Sequence, residues 1–413
     1  TDLENGFLRL GPVYYCFQYI SAIIFQSVEP QVFAYPDLFF GMAAILMLYF
    51  LARLYFSQRH SLMIITLYAF SFIVIEYSRF AWNPNPLQFF LLLTFFALLK
   101  FLDEDQEKKK RWWIALWALA LAIGSQLHFF GFFSLLGISG LLVVFTLKPW
   151  EKKSWREYFK KQNIGRFAKY FAIVLVVFVI IYSPVIASDV LENGRNSKNF
   201  IEALGSKPGD KSLVEKIGKN IEENLKYYCL ISIADCYKRS AWENLGPALS
   251  TGAVLIMAFL ITVWGLVKTT DRRKRNFLAL IIIWVGVFSI LTVPVAHDLR
   301  PRFFIIVFAI PFLLAGILWE FLEERFGKRG IWAGYAIFAL ILSMNIHGTY
   351  AWFREQSLSQ KKNLNVDMTL ILKNQDGVTL GQFQRVADFI AERYEPGKNI
   401  YYYIKPEHDR SLD

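Results

Sequence analysis

Three short polar stretches in an otherwise apolar chain carry side chains that could do chemistry. The first, Glu76–Pro86, reads EYSRFAWNPNP. Glu76, Arg79 and Asn83 are spaced i, i+3, i+7, which puts them on one face if the segment is helical. Pro84 and Pro86 push Asn83 and Asn85 out of the α region. The helix must therefore stop there, with Asn85 capping the next helix and Pro86 at its first position. An arginine in such a turn suits bidentate phosphate binding; the plainer alternative is a Glu76–Arg79 pair that only closes a helix end.

The second stretch is His297–Phe303, HDLRPRF. Pro301 suits the first turn of a following helix, whose free N–H groups and dipole attract anions. Arg300 and Arg302 beside it read as a clamp for a phosphate or diphosphate, with snorkelling to lipid headgroups as the alternative. The third is Gln126-Leu127-His128, followed by Phe129, Phe130, Phe132 and Phe133 around Gly131. A lone histidine at a helix end reads first as a satisfied polar residue; contact with a carrier phosphate or a metal is the other reading.

The elements that must hold these stretches are membrane spans. The 413 residues are 55% hydrophobic and 19% charged, where a soluble domain averages roughly 45–50% and about 25%. Runs of the roughly 20 apolar residues a span needs recur at 36–53, 61–80, 87–102, 112–127, 131–147, 167–186, 248–267, 277–295, 303–319 and 331–350. The expectation is an all-α polytopic membrane protein with about ten transmembrane helices. The apolar run 13–27 is too short to cross and reads as an interfacial helix.

Charge sets the orientation. The loops at 53–60, 100–111, 148–169, 268–276 and 325–330 hold 23 Lys and Arg, and those at 81–86, 128–131 and 296–302 hold two. Lys and Arg near span ends stay cytoplasmic, so the three chemical stretches face outside. The net charge of +11 is thereby membrane orientation and anionic-lipid contact, not nucleic-acid binding. Loop parity places Thr1, the loop 187–246 and the tail outside. An outside start in a polar stretch implies an earlier span, and an N-terminally incomplete chain is expected.

In the loop 187–246, Leu213, Ile217, Ile221 and Leu225 predict one amphipathic helix. The tail divides off as 351–413, after a transmembrane domain over 1–350. Phe383, Val386, Ala387, Ile390, Ala391 and Tyr394 make a helical stripe, and a Pro396-Gly397 turn leads to the strand-like Asn399–Ile404. A small extracytoplasmic α/β unit, itself open to truncation, is the reading. Glu320, Glu323 and Glu324 share one helix end and should pair with Arg325 or Lys328. Cys229 and Cys236 could form a disulfide in an oxidising compartment, leaving Cys16 over. HExxH, paired CxxC, P-loop and GxGxxG patterns are missing, so neither a zinc cage nor a nucleotide-powered pump is suggested.

The order GPVYY (11–15), YPDLFFGMAAILMLYFLARLYF (35–56), EYSRFAWNPNPLQFFLL (76–92), SQLHFFGFF (125–133) and RPRFFIIVFAIP (300–311) resembles the bacterial protein-mannosyltransferase-like glycosyltransferases. These are GT-C membrane enzymes of glycosyltransferase family 39, related to protein O-mannosyltransferases and to the aminoarabinose transferase of lipid A. The resemblance covers nearly the whole chain, and its most specific part is the SRFAWNP turn.

That resemblance implies a GT-C-type bundle in a bacterial inner or plasma membrane with its active site outside. Its partners would be a polyprenyl-phosphate-linked sugar donor, a glycan, lipid or protein acceptor, and membrane lipids, with no nucleic acid. It implies transfer with inversion to a hydroxyl, a carboxylate in the first outer loop as base, and arginine or lysine on the leaving phosphate. Arg79, Arg300 and Arg302 would hold that phosphate. Tyr14, Tyr15, Glu76, Asn83, Gln126, His128 and His297 would line the cavity. The acidic motif is expected upstream of Thr1; Asp2 and Glu4 are the outer acids before Gly11, and their spacing to Pro12 is short for the role. No cofactor is implied with certainty, and a divalent metal stays open. A lipid-linked glycan flippase or transporter, and an oligosaccharide polymerase or ligase, are the competing readings.

Overall fold

The structure is a computed structural model that describes residues 10–148, 161–205, 211–236, 241–362 and 380–395. It forms two compact units, Thr1–Ile346 and His347–Asp413.

The helices in chain order are α1 (Val13–Phe25), α2 (Pro30–Ala52), α3 (Gln58–Phe70), α4 (Phe72–Tyr77), α5 (Leu87–Asp103), α6 (Glu107–Leu127), α7 (Phe129–Leu147), α8 (Lys161–Leu191), α9 (Arg195–Gly205), α10 (Leu213–Ile233), α11 (Ala241–Lys268), α12 (Arg272–Thr292), the single turn α13 (Pro301–Phe304), α14 (Ile310–Phe326), α15 (Lys328–Lys362) and α16 (Leu380–Ala391). Each of the ten apolar runs falls on helix. Among the described residues, seven segments are long and apolar enough to cross a membrane: α2, α7, Ile164–Leu191 of α8, Asn244–Lys268 of α11, α12, Pro301–Phe326, and Lys328–Arg354 of α15. The other three runs lie on the broken pair α3–α4, on the 17-residue α5, and on α6, which starts inside a charge run.

Of the tail's α/β reading, the helix is seen as α16; there is no strand among the described residues, and the strand-like Asn399–Ile404 lies outside them. The loop 187–246 holds two helices, α9 and α10, where the apolar spacing shows one.

Helix α14 sits at the centre: 78% of the apolar window of Pro301–Phe326 is buried, against none of that of α8. Around it pack α3, α10 and α11, with α5 between α2 and α6 and α7 against α12. An apolar helix left bare by its neighbours reads as lipid-facing, since hydrocarbon solvates it as well as a protein core would.

The basic loops gather at one end of the bundle. The Tyr55 ring stacks on Phe277 and carries the Lys274 ammonium 5.3 Å from its centre, and Arg272 donates to the Leu102 carbonyl. The acidic end of α14 pairs across helices: Glu323 with Arg59 and His60 of α3, and Glu320 with Lys274 of α12 at 3.6 Å. The expected partners, Arg325 and Lys328, lie at the junction of α14 with α15, where Gly327 turns the chain at φ 54°. Packing of three helix ends has set the pairing instead of proximity in sequence.

Two breaks interrupt the helices that approach the opposite end. The first divides the run 61–80 at Ser71, which is extended at ψ 123°. Its freed backbone is satisfied from afar: the Phe72 N–H donates to Asn345 Oδ1 at 3.2 Å, and Ser71 Oγ donates to the Ile231 carbonyl at 2.9 Å. Asn345, fully buried, also donates to the Ser232 carbonyl at 2.8 Å. The second break is the tight Ile305–Val307 turn between α13 and α14, where Trp284 Nε1 donates to the Ile306 carbonyl at 3.0 Å. Irregular backbone at membrane depth survives only where protein groups complete its hydrogen bonds.

Candidate functional site

The site is built from the turns at the end opposite the basic loops. Helix α4 stops at Tyr77, so Arg79 and Asn83 do not continue the face of Glu76 as the i, i+3, i+7 spacing predicts. The chain curls because Asn85 Nδ2 donates to the Phe80 carbonyl at 2.7 Å, closing a turn upstream of Pro86. Asn85 thus does not cap α5; Pro86 stands at that cap with no side-chain bond. Asn83 Nδ2 donates to the Leu127 carbonyl at 2.9 Å, which fastens the turn to the end of α6. Glu76 is buried with Oε2 unpartnered, the Arg79 charge acting on it, while Arg79 itself is exposed.

Fastening the turn displays Trp82. Its ring meets Tyr77 and Phe80 at 6.1 and 5.7 Å, and the Arg302 guanidinium lies 6.0 Å from its centre and 5.4 Å from that of Phe303. An aromatic face holds a guanidinium in this way without consuming its N–H donors, which remain free for an anion.

His128 joins α6 to α7 in extended backbone, φ −156° and ψ 134°, with its ring edge-on to Phe303 at 5.7 Å and its Nδ1 unpartnered. Burial and the Arg302 charge hold its imidazole down, to about 3. It is neutral over the physiological range. Next to it Gln126 is buried and donates from Nε2 to the Ile181 carbonyl at 3.1 Å. Gly11 packs on the same Gln126 at φ 151°, where a Cβ would run into the amide oxygen.

Of the two arginines of HDLRPRF, Arg302 lies against Trp82 and Phe303, while Arg300 and His297 are exposed. Helix α13 is a single turn that gives way at once to the tight turn 305–307. The helix expected to begin behind Arg300 and Arg302 is therefore interrupted after one turn. Tyr14 and Tyr15 likewise divide: Tyr14 is buried, and Tyr15 is 70% exposed. Asp2 and Glu4 lie outside the described residues. Cys229 and Cys236 are joined in a disulfide, and Cys16 is free and exposed. Among the described residues no three His, Cys, Asp or Glu gather as a metal cage.

Beneath the turn lies a carboxylate that the sequence reading passed over. Asp37 of α2 is 1% exposed, and its Oδ2 accepts from Tyr14 Oη at 2.9 Å. Its Oδ1 has no hydrogen-bond partner. A carboxylate after Pro36 in an apolar run was the available signal, since ionisable groups within spans are costly and are kept for use.

Helices and site together define a polytopic membrane protein with a cationic, aromatic cluster at one end. Residues 2–186 match the family model described as dolichyl-phosphate-mannose-protein mannosyltransferase. Over that segment the chain is similar to this family of GT-C membrane glycosyltransferases, and it is an integral membrane protein. No curated protein and no solved structure gives a match.

Proposed function

We propose that the chain transfers a sugar, mannose in the first instance, from a polyprenyl-phosphate carrier to a hydroxyl of a glycan, lipid or protein on the extracytoplasmic face. The observation that carries this reading is Arg302, held between Trp82 and Phe303 beside the Arg79-bearing turn. The matched family supports the reaction type. The outward orientation follows from the basic loops at the far end, and the Cys229–Cys236 bond at the near end suits an oxidising compartment.

In the reaction, the bond from the sugar's anomeric carbon to the phosphate oxygen breaks and a bond to the acceptor oxygen forms. The acceptor's proton passes to a base, and polyprenyl phosphate departs. Charge grows on the leaving phosphate oxygens, so a preorganised guanidinium lowers the barrier where the charge develops. His128 beside Arg302 is neutral and adds no charge of its own there. Asp37 and Glu76 are too buried in this structure to reach an acceptor hydroxyl, so neither is assigned as the base.

The test is transfer from a synthetic polyprenyl-phosphate mannose to acceptor extract by the full-length protein in liposomes. A new glycosidic bond is expected. Movement of the donor across the bilayer with no such bond would replace this reading with that of a transporter.

A further inference from the structure

We propose that the cavity between α10, α11, α12 and α14 is a lipid site that takes a hydrocarbon chain ending in a hydroxyl, with Asn224 and Tyr228 hydrogen-bonded to that hydroxyl. It shares no residue with the cluster around Arg302 and does not depend on the transfer reaction.

The cavity measures about 280 Å³, roughly twice the ~150 Å³ that holds a benzene ring. Its apolar walls are Leu255 and Phe259 of α11, Val285 of α12, and the buried Ile310 and Leu314 of α14. Both α12 and the Asn244–Lys268 segment of α11 are long and apolar enough to span the membrane. At the rim stand Ile221 of α10 and Ile256 of α11, which are exposed. Ile221 continues an exposed apolar stripe with Leu213 and Ile217 on α10. Such a stripe beside spanning helices faces lipid, so the bilayer is the source of what enters.

One side of the cavity is polar. Asn220, Asn224 and Tyr228 recur at every fourth position of α10 and share one face. Asn220 Nδ2 donates to the Ser289 carbonyl at 3.1 Å. Asn224 Nδ2 donates to Asn220 Oδ1 at 2.9 Å and to the Asn220 carbonyl at 2.8 Å. These bonds fix which way both amides point, and they leave Asn224 Oδ1 buried with no partner. The Tyr228 hydroxyl is buried with none either. Helical side chains lean toward the N-terminus, which carries Tyr228 back over Asn224.

A structural tie explains Asn220, which joins α10 to α12. It does not explain the Asn224 oxygen or the Tyr228 hydroxyl, where apolar side chains would fold at less cost. One ligand hydroxyl satisfies both, donating to Asn224 Oδ1 and accepting from Tyr228 Oη. An ether or ester oxygen only accepts, and so serves Tyr228 alone. No Lys or Arg among the described residues lines the cavity, which disfavours a phosphate there.

The test uses the full chain in nanodiscs and a photoreactive hexadecanol with a diazirine in its chain. After irradiation, peptide mass spectrometry should place the label between Gly252 and Phe259 of α11 or around Val285 of α12. Unlabelled farnesol and hexadecanol should compete, and the stronger of them names the source as a branched prenol or a straight-chain alcohol. Hexadecyl methyl ether should compete about three- to tenfold less well, the worth of one net hydrogen bond. Tyr228→Phe and Asn224→Leu should each weaken labelling by a similar factor, and Val285→Trp, which fills the cavity, should abolish it.

Label spread evenly over the lipid-facing helices overturns the site. So does equal competition by alcohol and ether, or undiminished labelling in Tyr228→Phe. An unlabelled parent would leave Asn224 and Tyr228 to water and overturn it as well. Should Asn224→Leu or Val285→Trp fail to fold, Tyr228→Phe, which removes one oxygen, decides the matter.

Discussion

Replacing Arg302 with alanine is the sharpest perturbation of the site. Its guanidinium lies 5.4 Å from the Phe303 ring centre and 6.0 Å from that of Trp82, half-buried at the mouth of the turn. Two ring contacts of this kind are worth about 0.5–1 kcal/mol each at a partly exposed position, so the fold should tolerate their loss. Donor binding should not. A hydrogen bond to a charged group contributes about 1.5–3 kcal/mol, which is roughly a ten- to 150-fold rise in donor KM. Arg302→Lys keeps the charge but loses the planar fork and the ring stacking, and should fall between the two. Arg300→Ala should cost less than Arg302→Ala, because Arg300 is more exposed. The assay is sugar transfer against donor concentration at two salt levels, since attraction to an exposed phosphate weakens as ionic strength rises. Equal donor KM in parent and Arg302→Ala, with the variant folded and inserted, would refute the reasoning.

Acidification tests the second member of the site. The His128 imidazole is held down from 6.5 to about 3 by burial and by Arg302, so the unfolded chain takes up a proton that the folded one refuses. Stability contributed by the neutral ring is complete above the unfolded value and is lost as pH falls from there toward 3. His128→Gln should flatten that acid slope of the thermal midpoint in detergent; an unaltered slope would show that another group sets it. Removing the Cys229–Cys236 bond, which closes a loop of sequence separation 7, should cost about 2–3 kcal/mol. A paired Cys229→Ser, Cys236→Ser variant should therefore unfold at lower temperature, and a reductant should reproduce the shift in the parent; no shift in either would show that the packing of α10 and α11 suffices alone.

The amino-acid sequence by itself determined where helices run, which loops share an end, and where the chain must turn. Those properties are local: an apolar run long enough for a span, lysines beside it, and Pro84 with Pro86 act through solvent and bilayer without knowing their neighbours. Even the likeness to mannosyltransferases was legible in the turn SRFAWNP, because that turn is contiguous. Tertiary structure decided the rest. It broke the run 61–80 at Ser71, because Asn345, 273 residues from Phe72, was there to receive the freed amide. It buried Tyr14 and left Tyr15 exposed, because neighbouring side chains on a helix point in different directions. It also gathered Trp82, His128 and Arg302 in one cluster, since such convergence depends on how α6, α13 and the 81–86 turn pack, and periodicity within one helix carries no record of that packing.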